Sequence, residues 1–316
     1  MSFRDLLNSR LLAVVCVVLV LLALSACSGG GGPHAGAPQP ISCGPVAVPE
    51  NGSCRAFARL VEERAPTPFV ENGAAVELEI VYFQPLTGDR HPTLVFHHGS
   101  TGNGSDPFLF GLTFTSKSVA QFFVDRGWMV AFPQRRGRGQ SGGLYDEGFQ
   151  PDRSGYSCVA AESLQGAERA LADLDVITDW IRNRSDVDTT QMLVGGTSRG
   201  GILTITHAAR RPDVYLGALN FVGGWISEGC GDHLTINRTL LVDGARFPGT
   251  SLWLYGANDS FYGLPYSRSN FAEFQASGGI GQFVELTRGA GLNGHFLIND
   301  NALWGAAMDA YLANVR

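Results

Sequence analysis

Gln191-Met192-Leu193-Val194-Gly195-Gly196-Thr197-Ser198-Arg199-Gly200-Gly201-Ile202-Leu203-Thr204-Ile205 is an apolar run, a serine between glycines, and a second apolar run. It reads as a strand that turns sharply into a helix, with Ser198 at the corner. Such a corner strains its central residue, and glycines two positions to either side let strand and helix close up without side-chain collision. The serine hydroxyl then stands above the sheet edge. The amide of Arg199, opening the helix, points toward any oxyanion formed there.

A nucleophilic serine needs a base, an acid to orient that base and a second oxyanion donor. On a parallel sheet all of these gather at the carboxyl ends of strands. Pro92-Thr93-Leu94-Val95-Phe96 reads as a strand that runs into His97-His98-Gly99-Ser100-Thr101-Gly102, a flexible turn able to aim N–H groups at the site. Thr250 to Tyr255 is another strand, ending in Gly256-Ala257-Asn258-Asp259. Gly281 to Leu286 is a third, followed by a loop that carries Gly294-His295-Phe296. The chain order is Ser, Asp, His.

With the His-Gly turn at 98–102, the serine corner at 196–200 and the Asp259 and His295 loops, the sequence resembles the α/β-hydrolase superfamily, and within it the dienelactone-hydrolase-like members. The resemblance spans about residues 75–316. It implies an α/β fold with a mostly parallel central sheet and helices on both faces. It makes Ser198 the nucleophile, His295 the general base and Asp259 the acid, with Arg199 and Ser100 or Thr101 supplying the oxyanion amides. Asp243 is a rival for the acid, but it sits in the less ordered Leu241-Val242-Asp243-Gly244 segment and not directly behind an apolar strand. The implied chemistry is carboxylic ester hydrolysis through an acyl-enzyme, without cofactor. The alternatives are a peptidase or amidase resembling the prolyl-oligopeptidase catalytic domain, and a binding lipoprotein on an inactive hydrolase fold.

Other patterns are weaker. Gly137-Arg138-Gly139-Gln140-Ser141-Gly142 has dinucleotide-fingerprint spacing, yet no helix opens at the glycines and no acidic residue ends a following strand. Gly99 to Gly104 is spaced like a phosphate loop but lacks its lysine; of 23 basic residues only Lys117 is a lysine. The Arg135-Arg136-Gly137-Arg138-Gly139 loop belongs near the mouth of the site. It either buttresses neighbouring loops or, through Arg135 or Arg138, pairs with a substrate carboxylate. His91, His97 and His98 are not completed into a metal ligand set by any Cys or carboxylate nearby in sequence. His207 and His233 read as packing or surface residues.

Arg4 and Arg10, an apolar run from Leu11 to Leu24, and Ser25-Ala26-Cys27 have the layout of a secretory leader, with a run too short to span a bilayer comfortably. Leu24-Ser25-Ala26-Cys27 resembles a bacterial lipobox, which implies diacylation of Cys27 and a protein exported to the periplasm or cell surface and held to the membrane. The expected organisation is a leader at 1–26, a Gly/Pro tether at 27–40 and one domain at 41–316. Losing two arginines and one aspartate with the leader makes the formal charge of −6 one unit more negative, which argues against nucleic acid as a partner. Cys43, Cys54, Cys158 and Cys230 remain for two disulfides, with proximity favouring Cys43 with Cys54. Val76 to Tyr82 alternates like an antiparallel edge strand with one wet face. Helices are expected at about 116–126, 161–183, 199–210, 264–276 and 301–315. The short stretch between the strands at 216–221 and 250 leaves room only for a small cap over an open cleft.

Overall fold

The computed structural model describes residues 42–315; the expected leader, the tether and Cys27 lie outside them. Within this range the chain forms a small hairpin, β1 (Ala47–Glu50) with β2 (Ser53–Ala56), and an eight-stranded sheet. The sheet strands are β3 (Arg59–Glu71), β4 (Ala74–Gln84), β5 (His91–His97), β6 (Met129–Pro133), β7 (Val187–Thr197), β8 (Gly217–Phe221), β9 (Thr250–Gly256) and β10 (Gly281–Leu286). Their order is β10-β9-β8-β7-β5-β6-β4-β3, parallel from β10 to β6 and antiparallel beyond.

The helices are α1 (Lys117–Val124), α2 (Ala160–Arg182), α3 (Arg199–Arg210), α4 (His233–Gly244), α5 (Leu264–Ala276) and α6 (Asn301–Asn314). The central strands β6 and β8 are buried at every residue. That follows from helices on both faces, which remove the polar alternation a half-wet strand would show. α1 and α6 meet over one face, where Phe122 and Trp304 pack edge to face with centroids 4.8 Å apart. α3, flanked by α2 and α4, covers β7 and β8.

The order of connection places the site. From β5 the chain steps outward to β6, then returns to β7 on the other side of β5 before continuing to β8 and β9. Loops leaving β5 and β7 therefore diverge and open a crevice at their carboxyl ends. His97 of β5 is in register with Gly196 of β7, so the His-Gly turn and the serine corner emerge side by side.

Two expectations are corrected. Val76 to Tyr82 lies in β4, which pairs with β3 and β6 and is no edge; β3, with only Ala65 buried, is the edge strand. Glu79, which made β4 look wet on one face, is buried and accepts hydrogen bonds from Thr113 and the amide of Gln140. The segment around Asp243 is the end of α4, not a less ordered stretch. Residues 134–159, between β6 and α2, form a long irregular segment with a single bridge pair, Phe149 with Tyr156.

Both disulfides form as paired above, Cys43 with Cys54 and Cys158 with Cys230. The second ties the 134–159 segment to the loop before α4 across 72 residues. Replacing Cys158 and Cys230 by Ser should lower the unfolding free energy in urea by about 4 kcal/mol, the chain-entropy value for a loop of this length. An unchanged midpoint would show that the bridge constrains neither state.

Candidate active site

Ser198 sits at the corner between β7 and α3 with φ 55° and ψ −123°, a strained conformation for a non-glycine residue. The flanking glycines explain how the corner closes. A Cβ on Gly196 would lie 2.3 Å from the carbonyl oxygen of Gly200, and one on Gly200 would lie 2.2 Å from that of His97. The amide of Ser198 donates to Phe221 O at 2.9 Å, pinning the corner to β8. Gly99 passes directly over Ser198: a Cβ there would sit 2.9 Å from that of Ser198.

Asp259 and His295 come from the loops after β9 and β10. Nδ1 of His295 lies 2.9 Å from Oδ2 and 3.1 Å from Oδ1 of Asp259, whose side chain is wholly buried. Oδ1 also accepts the amides of Phe261 at 2.7 Å and Tyr262 at 3.0 Å, so the carboxylate cannot swing away. With Nδ1 occupied, Nε2 of His295 is the nitrogen left to face the cleft. Ser198 and His295 line one cavity of about 320 Å³, together with Gly99, Ser100, Arg138, Phe114, Phe261 and Phe296. Asp243 is excluded, since it ion-pairs with Arg210 and Arg246 on the far side of α3.

The two oxyanion candidates in the turn separate cleanly. The Thr101 N–H already donates to the Tyr156 hydroxyl at 3.1 Å, so Thr101 is corrected to a structural role. The Gly99 carbonyl accepts from Nδ1 of His98 at 2.8 Å and from Arg138 at 3.3 Å. In a trans peptide the next N–H points opposite to that carbonyl, so these bonds fix the direction of the Ser100 amide, whose residue lines the cavity. His98 can act this way because its Nε2 accepts the Arg135 amide at 3.1 Å, leaving the proton on Nδ1. Burial and the charges of Arg135 and Arg138 hold its pKa well below the ordinary imidazole value, so the ring stays neutral.

Arg135 and Arg138 part company. Arg135 is buried, ion-paired to Glu147 at 2.5 Å and bonded to His98 O at 2.9 Å, and it does not line the cavity of Ser198 and His295. Its expected contact with substrate is thereby withdrawn. Arg138 does line that cavity, and among the described residues it has no ion-paired carboxylate. Tyr262, Tyr156 and Glu147 were not singled out from sequence. Tyr262 packs its ring against His295 at 5.6 Å, donates its hydroxyl to Gly224 O at 2.7 Å and lies beside the Ser198 side chain. A second cavity of about 310 Å³ adjoins the first at Ser100, Gly102 and Phe261 and is walled by Tyr156, Trp225, Tyr262 and the Cys158–Cys230 bridge.

Known structures share this architecture. One assigned as a dienelactone hydrolase from Klebsiella pneumoniae subsp. pneumoniae MGH 78578 aligns over 81% of this chain and 97% of its own, at TM-score 0.50 and 18% identity. An acetyl xylan esterase from Paenibacillus sp. R4 aligns over 81% and 88%, at TM-score 0.52 and 15% identity. The chain has the α/β-hydrolase fold. An acylaminoacyl peptidase bound to a chloromethyl ketone shares that hydrolase fold at TM-score 0.50 and 16% identity, over 75% of this chain but only 40% of the peptidase. No family model matches the sequence, and no curated protein does. On this hydrolase fold the serine corner, the acid after β9 and the histidine after β10 stand at the carboxyl edge of one sheet.

Proposed function

We propose that this chain is a serine hydrolase that cleaves carboxylic esters through an acyl-enzyme. The observation that carries the reading is the Asp259–His295 contact at 2.9 Å with His295 and Ser198 on one cavity wall. His295 takes the Ser198 proton through Nε2 as the hydroxyl oxygen attacks the ester carbonyl. The N–H groups of Ser100 and Arg199 hold the oxyanion, His295 returns the proton to the departing alkoxide, and water then releases the acid by the same relay. A small cavity that opens to solvent suits a compact ester. The substrate is a small or polymeric ester whose scissile group reaches Ser198.

The test is a panel of p-nitrophenyl esters of increasing acyl length beside aminoacyl anilides. Ester turnover is expected to exceed anilide turnover by at least about 10²-fold. The reverse order would move the chain to the peptidase reading, and no turnover of either by folded protein would favour a binding role.

Arg138 bears on the substrate. Its Nε is buried without a hydrogen-bond partner, a donor left free for an anion entering the cavity. An ester carrying a carboxylate one acyl length from the scissile bond should therefore have a kcat/KM about tenfold above its neutral isostere, and Arg138→Gln should erase that ratio. Equal kcat/KM for the two esters in the unmutated protein would refute the pairing.

The leader and Cys27 support a lipid-anchored protein outside the cytoplasm. The two disulfides agree with an oxidising compartment. Metabolic labelling with an alkynyl fatty acid should mark the mature chain, and Cys27→Ala should abolish the mark.

A further inference from the structure

Both oxyanion donors are held by one buried network that no part of the triad requires. On the turn side, Arg135 donates to His98 O at 2.9 Å and lies 3.5 Å from Gly99 O, fixing the two peptides ahead of the Ser100 amide. Its Nε meets Oε1 of Glu147 at 2.5 Å. On the corner side, Arg199 donates Nη1 to the Glu147 backbone oxygen at 2.7 Å and Nε to Trp225 O at 2.8 Å. The guanidinium of Arg199 is clamped between the rings of Tyr156, at 3.6 Å, and Trp225, at 4.3 Å. Tyr156 closes the loop: its hydroxyl is 2.7 Å from that of Tyr145 and accepts the Thr101 amide, and Tyr145 donates to Glu147 Oε2 at 3.0 Å.

We propose that Glu147 is a positioning residue of the oxyanion hole, joining through Arg135 and Arg199 the two backbone segments that present the Ser100 and Arg199 amides. Arg135, Glu147 and Arg199 are each at most 2% exposed, and the path runs unbroken from Gly99 to Trp225. Burial alone would push the Glu147 carboxyl up, but Arg135 and Arg199 together hold it below the usual range, so the hub is ionised at neutral pH. A donor pair preorganised in this way pays no reorganisation cost when charge develops on the carbonyl oxygen. The inference rests on the acyl-transfer reading above and deepens it, since it concerns the transition state and not substrate binding.

Glu147→Gln keeps the shape and removes the charge. Two ideas about Glu147 predict opposite signs. If it only screened the positive charge of Arg135, Arg138 and Arg199, its neutralisation would strengthen the field at the oxyanion and raise the rate. As a positioning hub, its neutralisation removes the carboxylate charge that Arg135 meets at 2.5 Å and Arg199 at 3.6 Å, and so loosens both donors. In the full-length chain acting on p-nitrophenyl acetate, kcat should fall about 10- to 100-fold with KM within twofold, up to the loss of one oxyanion donor. The Ki of a phenyl trifluoromethyl ketone, which adds the serine oxygen to form a tetrahedral oxyanion, should rise by the same factor. Tyr156→Phe, which spares the packing but breaks the Thr101 and Tyr145 bonds, should move kcat and Ki together by a smaller factor.

A faster Glu147→Gln enzyme, an unchanged kcat, or a lowered kcat with unchanged ketone Ki would each overturn the proposal. Should Glu147→Gln fail to fold, Tyr156→Phe decides alone: unchanged kcat and Ki overturn it, and a parallel shift supports it. Wild-type protein that turns over no ester and escapes fluorophosphonate labelling would overturn the hydrolase reading and this inference with it. An active wild type with insensitive variants would overturn this inference alone.

Discussion

Ser198→Ala is expected to reduce kcat on a p-nitrophenyl ester by roughly 10⁴- to 10⁶-fold, to the level set by binding and the oxyanion amides alone. The size follows from geometry. Ser198 is the hydroxyl at the strained corner, its φ of 55° projecting the side chain above the sheet where α3 begins. Among the described residues lining the same cavity as His295, the other hydroxyls belong to Ser100 and Thr197, which do not occupy that corner. The variant should fold normally, because alanine is smaller than serine, keeps its Cβ and removes only the hydroxyl. Steady-state kinetics beside a thermal melt checks both halves. A loss below tenfold, with the fold intact, would mean that another group attacks the ester.

Asp259→Asn should cost about 10⁴-fold in kcat while leaving the architecture in place. Oδ1 of Asp259 accepts two backbone amides, from Phe261 and Tyr262. An asparagine must therefore keep its carbonyl oxygen at that position and place its NH₂ where Oδ2 now meets His295. The imidazole can then only accept at Nδ1 and must carry its proton on Nε2, which leaves no lone pair to take the proton of Ser198. Raising the pH should not rescue the rate, since the defect is tautomeric. Recovery of activity at high pH, or a loss of less than tenfold, would show that Asp259 is not what orients the histidine.

The parts of this fold that can be read in the sequence are those where burial on both faces makes a strand continuously apolar. β5, β8, β9 and the second half of β7 are of this kind, and the loops at their carboxyl ends supplied Ser198, Asp259 and the His-Gly turn. β3 was unreadable because Pro66 and Pro68 interrupt it. An edge strand tolerates them, the ladder register shifting between Pro66 and Val70. β4 misled because the acid at position 79 looks solvated in sequence, and only the loops bearing Thr113 and Gln140 reveal its burial.

α4 carries its apolar residues without a clean amphipathic face and shows no side-chain cap, so its local signal is faint. At the site, Ser100 and Thr101 were equivalent until Tyr156 was seen to occupy one amide. Glu147 carried no signal at all, lying in a loop without periodicity. Its partners are Arg135 and Tyr145, from the same irregular segment after β6, and Arg199 at the start of α3, a convergence that only the tertiary fold creates.

Incubating the folded wild-type chain with a fluorophosphonate and mapping the adduct by peptide mass spectrometry asks whether an activated serine exists here and which one it is. The adduct is expected on Ser198, with labelling lost in Ser198→Ala and strongly slowed in Asp259→Asn. Folded protein that takes no label, or takes it on another residue while Ser198 stays free, would contradict a Ser198–His295–Asp259 relay.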